Sequence, residues 1–316
     1  MWRWLAPVLL AFAACAHAQP YPAKSVRLII PFPPGGSNDV IGRAIGAQLA
    51  DRLGQGVIID NRGGAGGIIG IDAAAKAPAD GYTLLLISTT LPMSVALGRL
   101  PADIMHSFAP VALLGSGPSV LAVPPTLPVD SLRGLIELAK TKPGQLNAAS
   151  AGIGSFQHLA TELFRLQAGI DFVIVQYKGG GPALADTLAG HVHMNLGSLV
   201  QILPHIRSGK LRALAIGSAR RNAALPEVPT LAEAGVPGYE ANNWWGVLAP
   251  AGTHGAILGR LRQEIAAILE SPEMRKRFEA EGGEAAKAGV QEFSDLFAAE
   301  TAKWTRLVKE AGIKAE

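Results

Sequence analysis

Short apolar runs alternate with helix-spaced apolar stripes along nearly the whole chain, and that alternation predicts an α/β fold with mainly parallel sheets. The first unit sets the pattern. Residues 26–30 (VRLII) read as a buried strand, residues 31–37 (PFPPGGS) as a Pro/Gly loop, and a helix opens at about Asn38. Val40, Ile41, Ile45, Leu49 and Leu53 fall at helical spacing, and Gly54 stops that helix. Further strands are predicted at residues 57–60, 82–87, 111–114 and 119–123, the last two separated by Gly115-Ser116-Gly117-Pro118.

Pro124-Pro125 reads as a first crossing between two lobes. Beyond it the alternation repeats, with a helix over 131–140, strands over 146–149 and 172–175, a helix opening at Pro182 and a strand over 211–216. Residues 225–237, rich in Pro and polar groups, predict a surface return, and residues 244–248 carry the chain back. The stripes Ile257, Leu258, Leu261, Ile265, Ile268, Leu269 and Phe293, Leu296, Phe297, Trp304, Leu307, Val308 predict terminal helices packed on the first lobe. The expected organisation is one lobe from residues 19–123 plus 242–316, a second from 124–241, and a cleft between them.

Residues 1–18 read as an export signal: Arg3, an apolar stretch over 5–14, and the small-x-small site Ala16-His17-Ala18. The apolar stretch is well short of the roughly 20 residues that span a bilayer. Cleavage there removes Cys15, the only cysteine, so the mature chain has no disulfide and no thiol chemistry. A lipidated Cys15 is the variant reading, although Phe12 suits a lipid-attachment box poorly. Net charge is +3, with no basic run of five or more, which gives nucleic-acid binding little support.

The loop over 31–39 joins a strand to a helix start, where backbone N–H groups lack intrahelical acceptors and suit an anion. Gly35 and Gly36 allow close backbone approach, and Ser37 is either an N-cap or a ligand donor. Asp39 is either dipole-compatible or a partner for a ligand ammonium group. Residues 150–155 repeat the device, with Gly152, Gly154 and Ser155 before a helix and His158 one turn into it. Two such loops, one per lobe, would clamp a carboxylate as the lobes close.

Other features carry less. Asn61–Gly70 (NRGGAGGIIG) has Ile69 where a dinucleotide loop needs its third glycine, so these glycines read as packing devices. His191 and His193 fall on one face of a predicted strand without a third ligand at metal spacing. Trp244-Trp245 is core or an aromatic wall, and Lys178 is solvated or near an anion. No hydrolase, zinc-protease or nucleotide-loop signature is present, and neither a metal nor a cofactor is expected.

Many blocks in order, including PFPPGGSND, Asn61-Arg62 with GAGG, DGYTLL (80–85), Gly152-x-Gly154-Ser155-x-x-His158-Leu159, Tyr177-Lys178-Gly179-x-x-Pro182-Ala183 and GKLRALA (209–215), run through nearly the whole mature chain. In these the chain resembles the Bug family, periplasmic solute-binding components of tripartite tricarboxylate transporters. The resemblance implies a two-lobed type II periplasmic binding protein ("Venus flytrap") without catalysis or metal, monomeric, that captures a small organic carboxylate for integral membrane transporter subunits. An alternative role is a ligand sensor signalling to a histidine kinase. The family's carboxylate grip maps onto Phe32, Gly35, Gly36, Ser37 and Asp39, and onto Ala151, Gly152, Gly154 and Ser155, with Ser88 and Thr89 as further pocket residues. Where the family often has Phe-Asp this chain has Leu196-Gly197, which removes an acidic contact and favours a carboxylate without an amine.

Overall fold

In the computed structural model the described residues are 21–287, 289–310 and 312–314; the expected leader and Cys15 lie outside them. The strands follow in chain order as β1 (Val26–Ile30), β2 (Val57–Asn61), β3 (Thr83–Ser88), β4 (Phe108–Val123), β5 (Asn147–Ser150), β6 (Val173–Gln176), β7 (Met194–Ser198), β8 (Arg212–Ile216), β9 (Asn242–Pro250) and β10 (Glu284–Ala285). The helices are α1 (Ser37–Leu53), α2 (Ile68–Ala75), α3 (Thr90–Ala96), α4 (Leu132–Thr141), α5 (Phe156–Ala168), α6 (Gly180–Leu188), α7 (Leu199–Arg207), α8 (Gly255–Glu270), α9 (Pro272–Ala280) and α10 (Val290–Glu310).

Two parallel triplets form the framework. In the first, β1 lies between β2 and β3; in the second, β5 lies between β6 and β7. The near-continuous apolar runs of β1 and β3 reflect burial on both sheet faces, as crossover helices demand. The antiparallel strands β9 and β4 join the triplets into one hydrogen-bonded order, β2-β1-β3-β9-β4-β7-β5-β6.

The two strands expected around Gly115–Pro118 are one strand, β4. Register shifts between Pro110 and Ala112 and between Leu113 and Gly115 let it bend while it stays paired with β9. Pro118, which has no N–H to give, sits opposite Asn242 where that pairing ends, and from Ser119 onward β4 pairs with β7 and β8. Turn-forming residues thus mark a change of partner inside a strand. The returning chain runs alongside, since Ser119 donates its N–H to Ala241 O at 3.1 Å.

Two other expectations are corrected. Leu225, Val228, Leu231 and Val236 are buried, and Thr230 bridges to Ile216, so the Pro-rich return is part of the second sheet's core. The terminal helix α10 serves both halves. Its Phe293 and Phe297 pack with Ile29, Leu85 and Leu248, whereas Trp304 packs with Leu121, Leu159 and Tyr239. Of the terminal helices, α8 and α9 pack on the first triplet's side, with Leu261, Ile265, Met274 and Phe278 in its core.

Candidate functional site

Helix starts converge on a cavity between the two triplets. Its wall takes Gly36, Ser37 and Asn38 from the start of α1, Ser155, Phe156 and Gln157 from α5, and Gly180 from α6. Ser198 and Gln201 come from the start of α7, Ser88 and Thr90 from the end of β3 and the start of α3, and Asn243 from β9. Phe32 and Ala151 complete it. Its volume is about 40 Å³, which bounds the guest to a small molecule.

Among the described residues, no charged side chain lines this cavity. Its polarity comes from helix dipoles and first-turn N–H groups, which by geometry have no intrahelical acceptor and favour negative charge. At α1 the N-cap is Gly36, which supplies no capping side chain. At α5 the Ser155 Oγ accepts the N–H of His158 at 3.2 Å and turns the loop into the helix. Four side-chain atoms of lining residues, Asn38 Nδ2, Gln157 Oε1, Ser198 Oγ and Asn243 Oδ1, are buried without a partner among the described residues. Buried polar atoms of this kind cost about 1–3 kcal/mol each unless something polar meets them.

The two halves touch around the cavity. Thr90 Oγ1 accepts the N–H of Phe156 at 3.2 Å, and Arg99 donates to the carbonyl of Ile153. Gly35 and Gly36 lie against Gly180 and Gly181, and a β-carbon on Gly181 would collide with the carbonyl of Pro34. The glycine run after β2 serves the same contact, since Gly66, at φ 67°, abuts the carbonyl of Ile153.

Of the residues singled out in the sequence, Phe32, Gly36, Ser37, Ser88, Ala151 and Ser155 line the cavity. The others stand behind the wall. Gly35 and Asp39 form a brace: Asp39 accepts the Gly35 N–H, the Arg43 guanidinium and the Asn61 amide, each at 3.0 Å. Burial opposes ionisation of Asp39, but these hydrogen bonds outweigh it and hold its carboxyl below the usual aspartate range. With both oxygens engaged, Asp39 is not aimed at a guest. Ser37 is the first residue of α1 rather than its cap.

Thr89 accepts the N–H of Trp244 at 3.1 Å and so ties the end of β3 to β9. Gly152 and Gly154 hold left-handed backbone at φ 108° and 82°, which shapes the second loop. His158 is buried, and burial pushes its pKa down; its Nδ1 receives the Gly154 N–H at 3.4 Å. Gly197 lies behind Gln157, with an added β-carbon 2.7 Å from Asn195 Oδ1.

Asn38, Thr90, Phe156, Gln157, Gly180, Ser198, Gln201 and Asn243 went unread in the sequence. A usable signal exists for some: Asn38 and Gln157 are the second residues of the helices that follow the two glycine loops, and Gly180 sits in the run Gly179–Gly181. Outside the site, Trp244 and Trp245 are both core, Trp244 meeting Phe293 edge-on at 5.6 Å. Lys178 is exposed. His191 and His193 precede β7 and part company, His191 toward Asp186 and His193 toward the Asn147 N–H. Among the described residues there is no cluster of metal-ligating side chains and no helix long and apolar enough to cross a membrane.

Residues 41–313 match the model of the tripartite tricarboxylate transporter family receptors. The chain is 43% identical to protein BugT of Bordetella pertussis, covering 96% of this chain and 94% of that one. The periplasmic binding protein BugD superposes with a TM-score of 0.90 at 30% identity, covering 93% of this chain and 99% of that one. The Rhodopseudomonas palustris protein Rpa4515, solved with adipate, gives 0.89 at 37% identity, covering 93% and 99%. MatC of the same organism, solved with bound malate, gives 0.87 at 31% identity, covering 91% and 100%.

Proposed function

The chain belongs to the tripartite tricarboxylate transporter receptor family, of Bug type and periplasmic-binding-protein fold, and we propose that it closes on a small organic carboxylate and presents it to a membrane transporter. One observation carries this reading: a polar cavity ringed by helix starts, with no charged side chain among the described residues that line it. Adipate and malate in two solved relatives support the carboxylate class. The protein acts outside the cytoplasm after losing residues 1–18, binds without catalysis, and works as a monomer.

In this reading residues 19–123 with 242–316 form one lobe and 124–241 the other, except that β4 from Ser119 onward pairs in the second lobe's sheet; β4, β9 and α10 link them. Opening separates the Gly35-Gly36 loop and α3 from the Gly180-Gly181 turn and the 150–155 loop. Closure then brings the helix starts onto the acid. Three or four charge-assisted hydrogen bonds at about 1.5–3 kcal/mol each supply most of the ~8 kcal/mol of micromolar affinity.

The test is a thermal-shift screen of residues 19–316, unfolded and refolded to strip carried-over acid, against mono-, di- and tricarboxylates, aromatic acids and amino acids. A ligand at a hundredfold excess over Kd stabilises by about 2.7 kcal/mol, a rise of a few degrees. The reading predicts at least one carboxylate with that shift. A protein that responds to none of them, or that turns an acid over, contradicts it.

A further inference from the structure

One buried side-chain atom of a lining residue has its chemistry dictated from a distance. Thr187, in α6, lies 2.7 Å from the carbonyl of Ala183, one helical turn back. A carbonyl only accepts, so the Thr187 hydroxyl spends its single proton there. Its oxygen must therefore accept from Asn195, whose Nδ2 lies 3.2 Å away. That orients the Asn195 amide and turns its Oδ1 to the Gln157 Nε2 at 3.0 Å. The Gln157 amide is then fixed in turn: its nitrogen faces Asn195, and its Oε1 is the atom left buried without a partner. Reversing any amide would set two acceptors or two donors face to face. All three residues are buried, Asn195 and Thr187 fully and Gln157 to within 4%.

Gln157 belongs to the cavity wall, beside the first turn of α5. The cavity thus mixes donors suited to a carboxylate with a preset acceptor that a plain carboxylate has no group to satisfy. A guest that satisfies it carries a hydrogen-bond donor. An ammonium group fits poorly: among the described residues no anionic side chain lines the cavity, Asp39 is engaged by Gly35, Arg43 and Asn61, and the helix starts repel a cation. A neutral donor remains.

We propose that Gln157 is a specificity-determining residue that accepts the hydroxyl of a hydroxycarboxylate, with Asn195 and Thr187 as the residues that position it. This rests on the carboxylate-receptor reading above and names the subclass of acid. Selectivity arises because a site built around a hydroxyl leaves its own buried acceptor unpaired when the parent acid binds.

The test is calorimetric titration of the refolded protein with matched pairs at fixed pH and salt: malate and succinate, 2-hydroxyglutarate and glutarate, lactate and propionate. In at least one pair the hydroxy acid binds about tenfold or more tightly than its parent. In Gln157→Met, close in length and unable to accept strongly, the hydroxy acid binds no more tightly than its parent. The ratio within a pair is the readout, because a general loss of structure weakens both members alike. Equal affinities within every pair that binds, in the wild-type protein, overturn the role of Gln157 and leave the carboxylate reading standing. Binding of no acid, with or without a hydroxyl, overturns both.

Discussion

The carboxylate of Asp39 accepts the backbone N–H of Gly35 at 3.0 Å, folding the first glycine loop back onto the helix that it opens. The same carboxylate holds Arg43 and Asn61, and Asn61 also donates to the carbonyl of Phe32 at 3.0 Å. Asp39 therefore shapes the site from behind its wall.

That brace has a pH signature. The carboxyl of Asp39 is held below the usual range, so its stabilisation is fully present above the ordinary aspartate pKa of about 3.9 and is lost as pH falls through its own lower value. Asp39→Asn lowers stability at neutral pH by about 1.5–3 kcal/mol, the worth of a charge-assisted hydrogen bond. Melting curves of both proteins from pH 7 down to pH 2 check this: the gap is widest at neutral pH and narrows in the acid range. A gap that stays constant with pH removes the ionised brace.

Gly181 governs closure. A β-carbon there would collide with the Pro34 carbonyl of the facing loop. Gly181→Ala keeps the fold of each half and weakens acid binding at least about tenfold, since a shift of the facing backbone costs about 1–3 kcal/mol. Calorimetry beside a melting curve separates the two effects, and undiminished affinity shows that the loops do not need this contact.

At position 197 a side chain has no room, because its β-carbon would sit 2.7 Å from Asn195 Oδ1 and 2.9 Å from Ile202 Cδ1. Gly197→Asp displaces the Gln157 amide and adds a negative charge beside the cavity. Binding of any carboxylate then falls by about a hundredfold or more, the cost of a like charge and a broken buried network together. Wild-type binding in this variant would mean that Gln157 does not contribute to the site.

Arg99 acts as a clasp across the cleft through its bond to the Ile153 carbonyl. Arg99→Ala speeds acid release by about threefold to tenfold while association changes little, the usual partition for a contact made after encounter. Stopped-flow displacement measures both rates. A slower association with unchanged release places the role of Arg99 before closure.

The sequence disclosed the site where it is built from local signals. Pro-Phe-Pro-Pro-Gly-Gly-Ser and the Ser150–Ser155 loop each join a strand to a helix, and both reach the cavity. It hid the contributions that depend on topology. Asn243 reaches the wall because β9 returns beside β4, and Ser198 and Gln201 because α7 starts at the end of β7; nothing in their local sequence marks them for a site. Gly115–Pro118 looked like a break because glycine and proline usually end strands, yet β9 carries β4 through them. The apolar stripe of α10 gave its buried face but not its two partners, since one stripe serves two cores equally well.

The claim at the centre is that helix starts and neutral polar groups, without a charged side chain, hold a carboxylate. Its most direct test compares the tightest-binding acid with its uncharged amide in one calorimetric titration series at pH 7 and fixed ionic strength. The account predicts affinity in the micromolar range or tighter for the acid and a loss of about a hundredfold or more for the amide, roughly the worth of one or two charge-assisted bonds. Equal binding of acid and amide would contradict it.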